Sequence, residues 1–117
     1  MTELSRNIAL EIARVINEKK GQNIKVLDIQ SLSTIADYFV IANGTSTRQV
    51  KALVDIIEDR MKEIGIDIHH KEGYHNGRWI LIDFLSVIVH IFLEEERDFY
   101  NIDRVWKDAT QVVIDSD

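Results

Sequence analysis

Two apolar runs, Trp79 to Ile82 and Val87 to Leu93, flank the tetrapeptide Asp83-Phe84-Leu85-Ser86. Their richness in Val, Ile, Trp and Phe predicts two adjacent strands of a β-hairpin. With the turn at Phe84-Leu85, Asp83 pairs with Ser86, Leu81 with Ile88, Trp79 with His90 and Gly77 with Phe92. Ile82/Val87, Ile80/Val89 and Arg78/Ile91 then fall on the opposite face. One face is nearly pure Ile and Val, as a core-facing surface should be, and the other interleaves Trp79, His90 and Phe92 with Asp83. Moving the turn to Leu85-Ser86 shifts the pairs by two and keeps the same residues on the same faces.

The remaining pattern alternates helix and strand. Leu4, Ile8, Ile12, Val15 and Ile16 recur at helical spacing through residue 20, with Gly21 where a helix C-cap would stand. Ile24 to Ile29 reads as a short strand, and Asp37 to Ala42 as a second, more buried one. Ser46 followed by Gln49 forms a capping box, and Val50, Leu53, Val54, Ile57, Met61 and Ile64 then make one apolar stripe ending at Gly65. Ile66 to His70 is a third strand, so Asp37 to His70 is a strand-helix-strand unit with parallel strands and a right-handed crossover. After Glu94, the spacing of Phe99, Ile102, Val105 and Trp106 predicts one or two short helices, and then a fraying tail at Asp115-Ser116-Asp117. The predicted fold class is α/β (α+β): one domain over residues 1–117, with a mixed five-stranded sheet and the antiparallel hairpin toward its C-terminal end.

Composition narrows the function classes. A chain of 117 residues, 45% apolar and 29% charged, has room for one core and no second domain. No apolar run approaches the ~20 residues needed to span a bilayer, no signal peptide is expected, and zero cysteines exclude a disulfide framework or thiolate metal site. The cytoplasm is the expected compartment. A net charge of -6 disfavours direct capture of a nucleic-acid backbone and suits a basic protein partner.

The runs LSTIADYFVIANGTSTRQV (Leu32 to Val50), EGYHNGRWILID (Glu72 to Asp83), VIVHIF (Val87 to Phe92) and RDFYNIDRVWKDA (Arg97 to Ala109) span most of the chain. In order and spacing they resemble the Iojap-like ribosomal silencing factor family. The resemblance implies a nucleotidyltransferase-like topology without the active site. It also implies a translational repressor that binds the large ribosomal subunit through large-subunit ribosomal protein fourteen and blocks joining of the small subunit, with no cofactor. The family usually carries a Gly-Asp pair in the hairpin turn, where this chain has Phe84-Leu85-Ser86.

Other chemistries are weaker in the residues. Gly44-Thr45-Ser46 at a strand-to-helix junction could hold a phosphate, but the following strand reads Ile66-Asp67-Ile68-His69, with His where a second metal-binding carboxylate belongs. His69, His70, His75 and Glu72 suggest zinc, yet consecutive strand histidines point to opposite faces. No metal or cofactor is expected. Glu94-Glu95-Glu96 is either a solvated helix start or a surface for a basic partner. The aromatic set is the most informative: Trp79, Phe92, Tyr100 and Trp106, with Asp83, His90 and Arg97, have the composition of an interface core with a polar rim. On the competing reading Phe99 and Trp106 only pin the last helix, and exposure in the free chain decides between the two. The competing functional classes are a divergent nucleotidyltransferase using Gly44 to Ser46 with Asp67, and a homodimeric scaffold.

Overall fold

Apolar spacing and turn chemistry account for most of the elements in the computed structural model, which describes residues 2–114 apart from the side chains of Thr2, Glu3, Asp98, Phe99, Tyr100 and Asp103. Helix α1 (Thr2–Glu18) buries Ala9, Ile12, Ala13, Val15 and Ile16, while Leu4, expected on that stripe, is exposed. The expected cap at Gly21 lies one residue earlier. Lys20 takes the left-handed conformation at φ 66, and Lys20 and Gly21 donate to the carbonyls of Asn17 and Ile16 at 3.1 and 2.9 Å, the paired bonds of a Schellman motif. Gly21 is needed there for room, because a Cβ on it would stand 2.2 Å from Ile16 Cγ2.

Helix α2 (Thr47–Glu63) starts where the capping signal predicts, with Ser46 Oγ accepting from the Gln49 N–H at 3.1 Å. Gln49 reaches one residue further back than a standard box: its Oε1 accepts from the Thr45 N–H at 2.7 Å. Val50, Leu53, Val54, Ile57 and Met61 are buried, but Ile64, the last member of the predicted stripe, is the exposed C-cap residue. Each fully buried aliphatic side chain of this kind contributes roughly 1.5–3 kcal/mol.

The remaining elements are β1 (Gln22–Asp28), β2 (Tyr38–Gly44), β3 (His70–Glu72), β4 (Trp79–Asp83), β5 (Val87–Leu93), α3 (Glu94–Tyr100), α4 (Ile102–Val105) and β6 (Thr110–Val112). They form a mixed sheet of six strands in the order β3-β4-β5-β2-β1-β6, one more than the five expected. The addition is β6, which pairs antiparallel with β1 at the edge. With three residues it carries no readable alternation.

The strand-helix-strand unit needs a larger correction. Residues 66–69 are outside any strand, and β3 begins only at His70. It runs in the same direction as β2 but is not its neighbour, because the hairpin β4-β5 is inserted between them. The parallel partner of β2 is β5, with Tyr38 opposite Val87 and Gly44 opposite Leu93.

The hairpin register is the alternative one. Trp79 pairs with Phe92, Leu81 with His90 and Asp83 with Ile88, so the turn is Leu85-Ser86 and not Phe84-Leu85. Phe84 closes it by donating to the Val87 carbonyl at 2.9 Å. The division of faces survives, as a shift of two must allow. Ile80, Ile82, Val87, Val89 and Ile91 belong to the core under α1 and α2. Phe92 and Ile88 lie in a second layer with Phe39, Ile41 and Ile102, beneath the C-terminal helices.

Candidate functional site

The mixed face is set by alternation. On β4, Trp79, Leu81 and Asp83 point to it and all three are partly exposed. Strand β3 adds His70 beside Asp83 and Glu72 beside Leu81, an exposed pair with His70 Nε2 2.7 Å from Glu72 Oε2. Toward the sheet centre the face closes over: His90 is 4% exposed and Phe92 0%. The expectation that they make flanking contacts needs them open, and in the free chain both are buried, packed against Trp79.

This packing is a layer of rings. Trp79 stacks on Phe92 with centroids 5.0 Å apart and planes at 24°. Trp79 Nε1 donates to His90 Nδ1 at 3.2 Å. His90 in turn meets Phe39 edge-on at 4.8 Å, and Phe39 meets Trp106 edge-on at 4.9 Å. Such offset and edge contacts are the arrangements aromatic quadrupoles favour. The two partly exposed indoles of Trp79 and Trp106 are therefore the two ends of one chain of contacts through buried His90 and Phe39.

Gly73 fixes the backbone under Trp79. It has φ +82, and a Cβ there would stand 2.1 Å from the Trp79 carbonyl oxygen, so only glycine combines this conformation with this approach.

Asp83 serves the turn. Its Oδ1 accepts from the Leu85 N–H at 2.7 Å, and Leu85 itself has φ 76, a conformation most side chains avoid. Leu85 is 61% exposed, so the turn forms an apolar tip.

Arg97 also belongs to the fold. It is 6% exposed, and its Nη1 donates to Asn43 Oδ1 at 2.9 Å and to the Asn23 carbonyl, tying α3 to β2 and to the start of β1. The expected extension of the binding patch through Arg97 needs an open side chain, and in the free chain Arg97 is buried in these contacts. Tyr100 as a patch residue, Phe99 as a pin, and the fraying tail concern parts of the chain outside the described residues.

Arg97 lines a polar cleft of about 430 Å³ with Asn23, Lys25, Asn43, Glu94 and Gln111. Within the acidic run, Glu96 pairs with Arg78 at 3.0 Å, while Glu94 and Glu95 are exposed.

The phosphate reading of Gly44 to Ser46 meets a competitor. Gln49 and Ser46 side chains already take the N–H groups of Thr45 and Gln49, donors that an incoming phosphate would need. Among the described residues, no three His, Asp or Glu side chains converge in a way that could hold a metal ion. No described helix is long and apolar enough to cross a membrane.

Sequence reasoning left two contributors out of the site. Leu81 follows from the alternation that selected Trp79 and needed only to be counted with it. Phe39 lies in a strand buried on both faces, where no polar residue marks which side chains share a side.

The comparisons agree on one family. The model for the ribosomal silencing factor during starvation (RsfS) matches residues 2–117. The chain is 38% identical over 103 residues to the ribosomal silencing factor RsfS of Bacillus subtilis, covering 88% of this chain and 87% of the relative. It is 31% identical to the chloroplastic protein Iojap of Zea mays, covering 95% of this chain and 48% of that longer protein. A crystal structure of a Chromobacterium violaceum protein superposes with a TM-score of 0.81 at 34% identity, over 92% of this chain and 87% of that one. Another from Bacillus halodurans gives 0.79 at 32%, over 97% and 100%. By its residues and by its fold, the chain belongs to the ribosomal silencing factor family.

Proposed function

We propose that the chain represses translation by occupancy: it binds the large ribosomal subunit through large-subunit ribosomal protein fourteen, and its bulk keeps the small subunit from joining. No chemical step and no cofactor enter this reading. The observation that carries it is the partly exposed row of Trp79 and Leu81, with Trp106 at the far end of the ring layer, on a packed sheet face. Large aromatic anchors held by a packed layer are the side chains that dominate protein interfaces. The net charge of -6 supports a basic partner, since complementary charge raises the encounter rate. Because ribosomal subunits join in the cytoplasm, that is the compartment this reading requires.

The test is co-sedimentation with purified large subunits at moderate salt, followed by addition of small subunits. The expected result is binding that lowers the yield of joined ribosomes. Failure to bind, or binding that leaves joining untouched, removes the proposal.

A further inference from the structure

His90 is an expensive way to fill its position. It sits mid-strand on β5 between Phe39 and Trp79, nine-tenths out of water, where Leu or Phe would pack without polar atoms. Its Nδ1 accepts the indole N–H of Trp79, so in the neutral ring the proton is on Nε2. Nε2 is buried and has no hydrogen-bond partner among the described residues. An orphaned buried donor costs stability, and a group kept at such a cost in a native interior requires an explanation beyond packing. Burial also lowers the pKa of the ring to about 4, so it remains the neutral acceptor near pH 7.

The effect of the Nδ1 acceptor is geometric. Stacking on Phe92 sets the plane of the Trp79 indole but does not distinguish one edge of the ring from the other. The hydrogen bond at Nε1 makes that distinction: it holds the N–H edge toward His90 and so sets which edge faces outward. We infer that His90 is a positioning residue: through its Nδ1 acceptor it presets the Trp79 indole for partner binding, so that the anchor does not have to be ordered at the moment of docking. Preorganisation of this kind raises affinity by removing an ordering penalty and adds no new contact. The inference rests on the proposed role of the Trp79 face in ribosome binding, and its first readout is independent of the ribosome.

Two variants of the full chain separate positioning from packing. Asparagine places an amide oxygen near the location of Nδ1, so His90→Asn retains the acceptor, whereas His90→Leu fills the space and lacks it. In a ¹⁵N-labelled Trp106→Phe background the Trp79 indole N–H is a single resonance. His90→Asn should leave its shift and slow exchange close to those of the parent, and His90→Leu should shift it and speed its exchange. Affinity for large subunits should follow: within about twofold of the parent for His90→Asn, and about tenfold weaker for His90→Leu. Leucine binding as tightly as histidine overturns the inference, as does asparagine losing affinity while the indole resonance is retained. If His90→Leu does not fold, the asparagine pair of measurements still decides. Should Trp79→Ala leave affinity unchanged, the binding role of this face fails, and the inference about docking fails with it even where the indole resonance behaves as expected.

Discussion

Arg97 donates to the side-chain oxygen of Asn43 at 2.9 Å, across 54 positions of sequence and inside the protein. With its second bond to the Asn23 carbonyl, this makes one guanidinium the tie between α3 and two strands. Arg97→Ala should therefore destabilise by about 2–3 kcal/mol, because it strips charge-assisted bonds from the buried Asn43 oxygen and the part-buried Asn23 carbonyl. At about 4 °C per kcal/mol for a chain of this size, thermal melts will register it. Affinity per folded molecule should stay the same, and a selective loss of affinity with an unchanged melt would return Arg97 to the binding surface.

Trp79→Ala should behave in the opposite way. Loss of an interface aromatic costs ~2 kcal/mol or more of binding, which is about thirtyfold in affinity. Since the indole is only partly buried, the accompanying loss of stability should stay well below the ~3–5 kcal/mol of a fully buried tryptophan. Sedimentation binding beside a thermal melt measures both numbers on one preparation.

The Asp83-Leu85 turn gives a paired forecast. Asp83→Asn retains an acceptor for the Leu85 N–H, so stability, affinity and the salt dependence of binding should all be nearly unchanged. A flattened salt slope would show instead that the carboxylate meets a cation of the partner. Leu85→Gly relieves a positive φ at the price of a more flexible unfolded chain, and the net should be a gain of about 0.5–1 kcal/mol, read as a higher urea midpoint.

Acid should weaken the fold through His90. Its folded pKa of about 4 lies below the ordinary 6.5, so between these values the unfolded chain takes up a proton that the folded chain refuses. The stabilisation is complete above pH 6.5, declines as pH falls toward 4, and amounts to up to about 3 kcal/mol. Carboxylates titrate in the same range, so the informative quantity is the difference between wild type and His90→Asn: urea midpoints at pH 7.5 and 4.5 should converge for the two proteins as His90 is penalised. Parallel pH profiles would refute a depressed histidine.

Gly73→Ala should damage both properties at once. The added methyl would collide with the Trp79 carbonyl at a position that also demands φ +82, so the start of β4 must shift. The expected outcome is a lower melting temperature together with a perturbed Trp79 fluorescence spectrum. An unperturbed spectrum would mean that β4 yields elsewhere.

Much of the fold was legible because period alone carries it. The stripe from Val50 to Met61 and the capping pair Ser46 and Gln49 locate α2 without any knowledge of its neighbours. The two faces of the hairpin were legible for the same reason, even though the turn was misplaced, since parity is conserved under a shift of two. Strand order was not legible: the neighbour of β2 is decided by which edge the β4-β5 hairpin docks on, an energy shared among residues far apart in sequence. The site was half legible. Trp79 and Trp106 announce themselves as large and apolar, but whether Phe92, His90 and Arg97 face outward depends on α3 and α4 folding back over the sheet. Local pattern does not encode that coverage.

The central parallel pair has a consequence for how the chain comes into being. Residues of β2 meet partners in β5 about 50 positions later, with α2 and β4 in between, so the middle of the sheet closes only after a long loop does. During synthesis α1, β1, β2 and α2 are made with one edge of β2 still vacant, until β5 through Leu93 is available to pair with it. Folding of this protein is in that sense a late and nearly all-or-none event that waits for β5. Truncation anywhere before β5 should leave a chain that does not hold native structure.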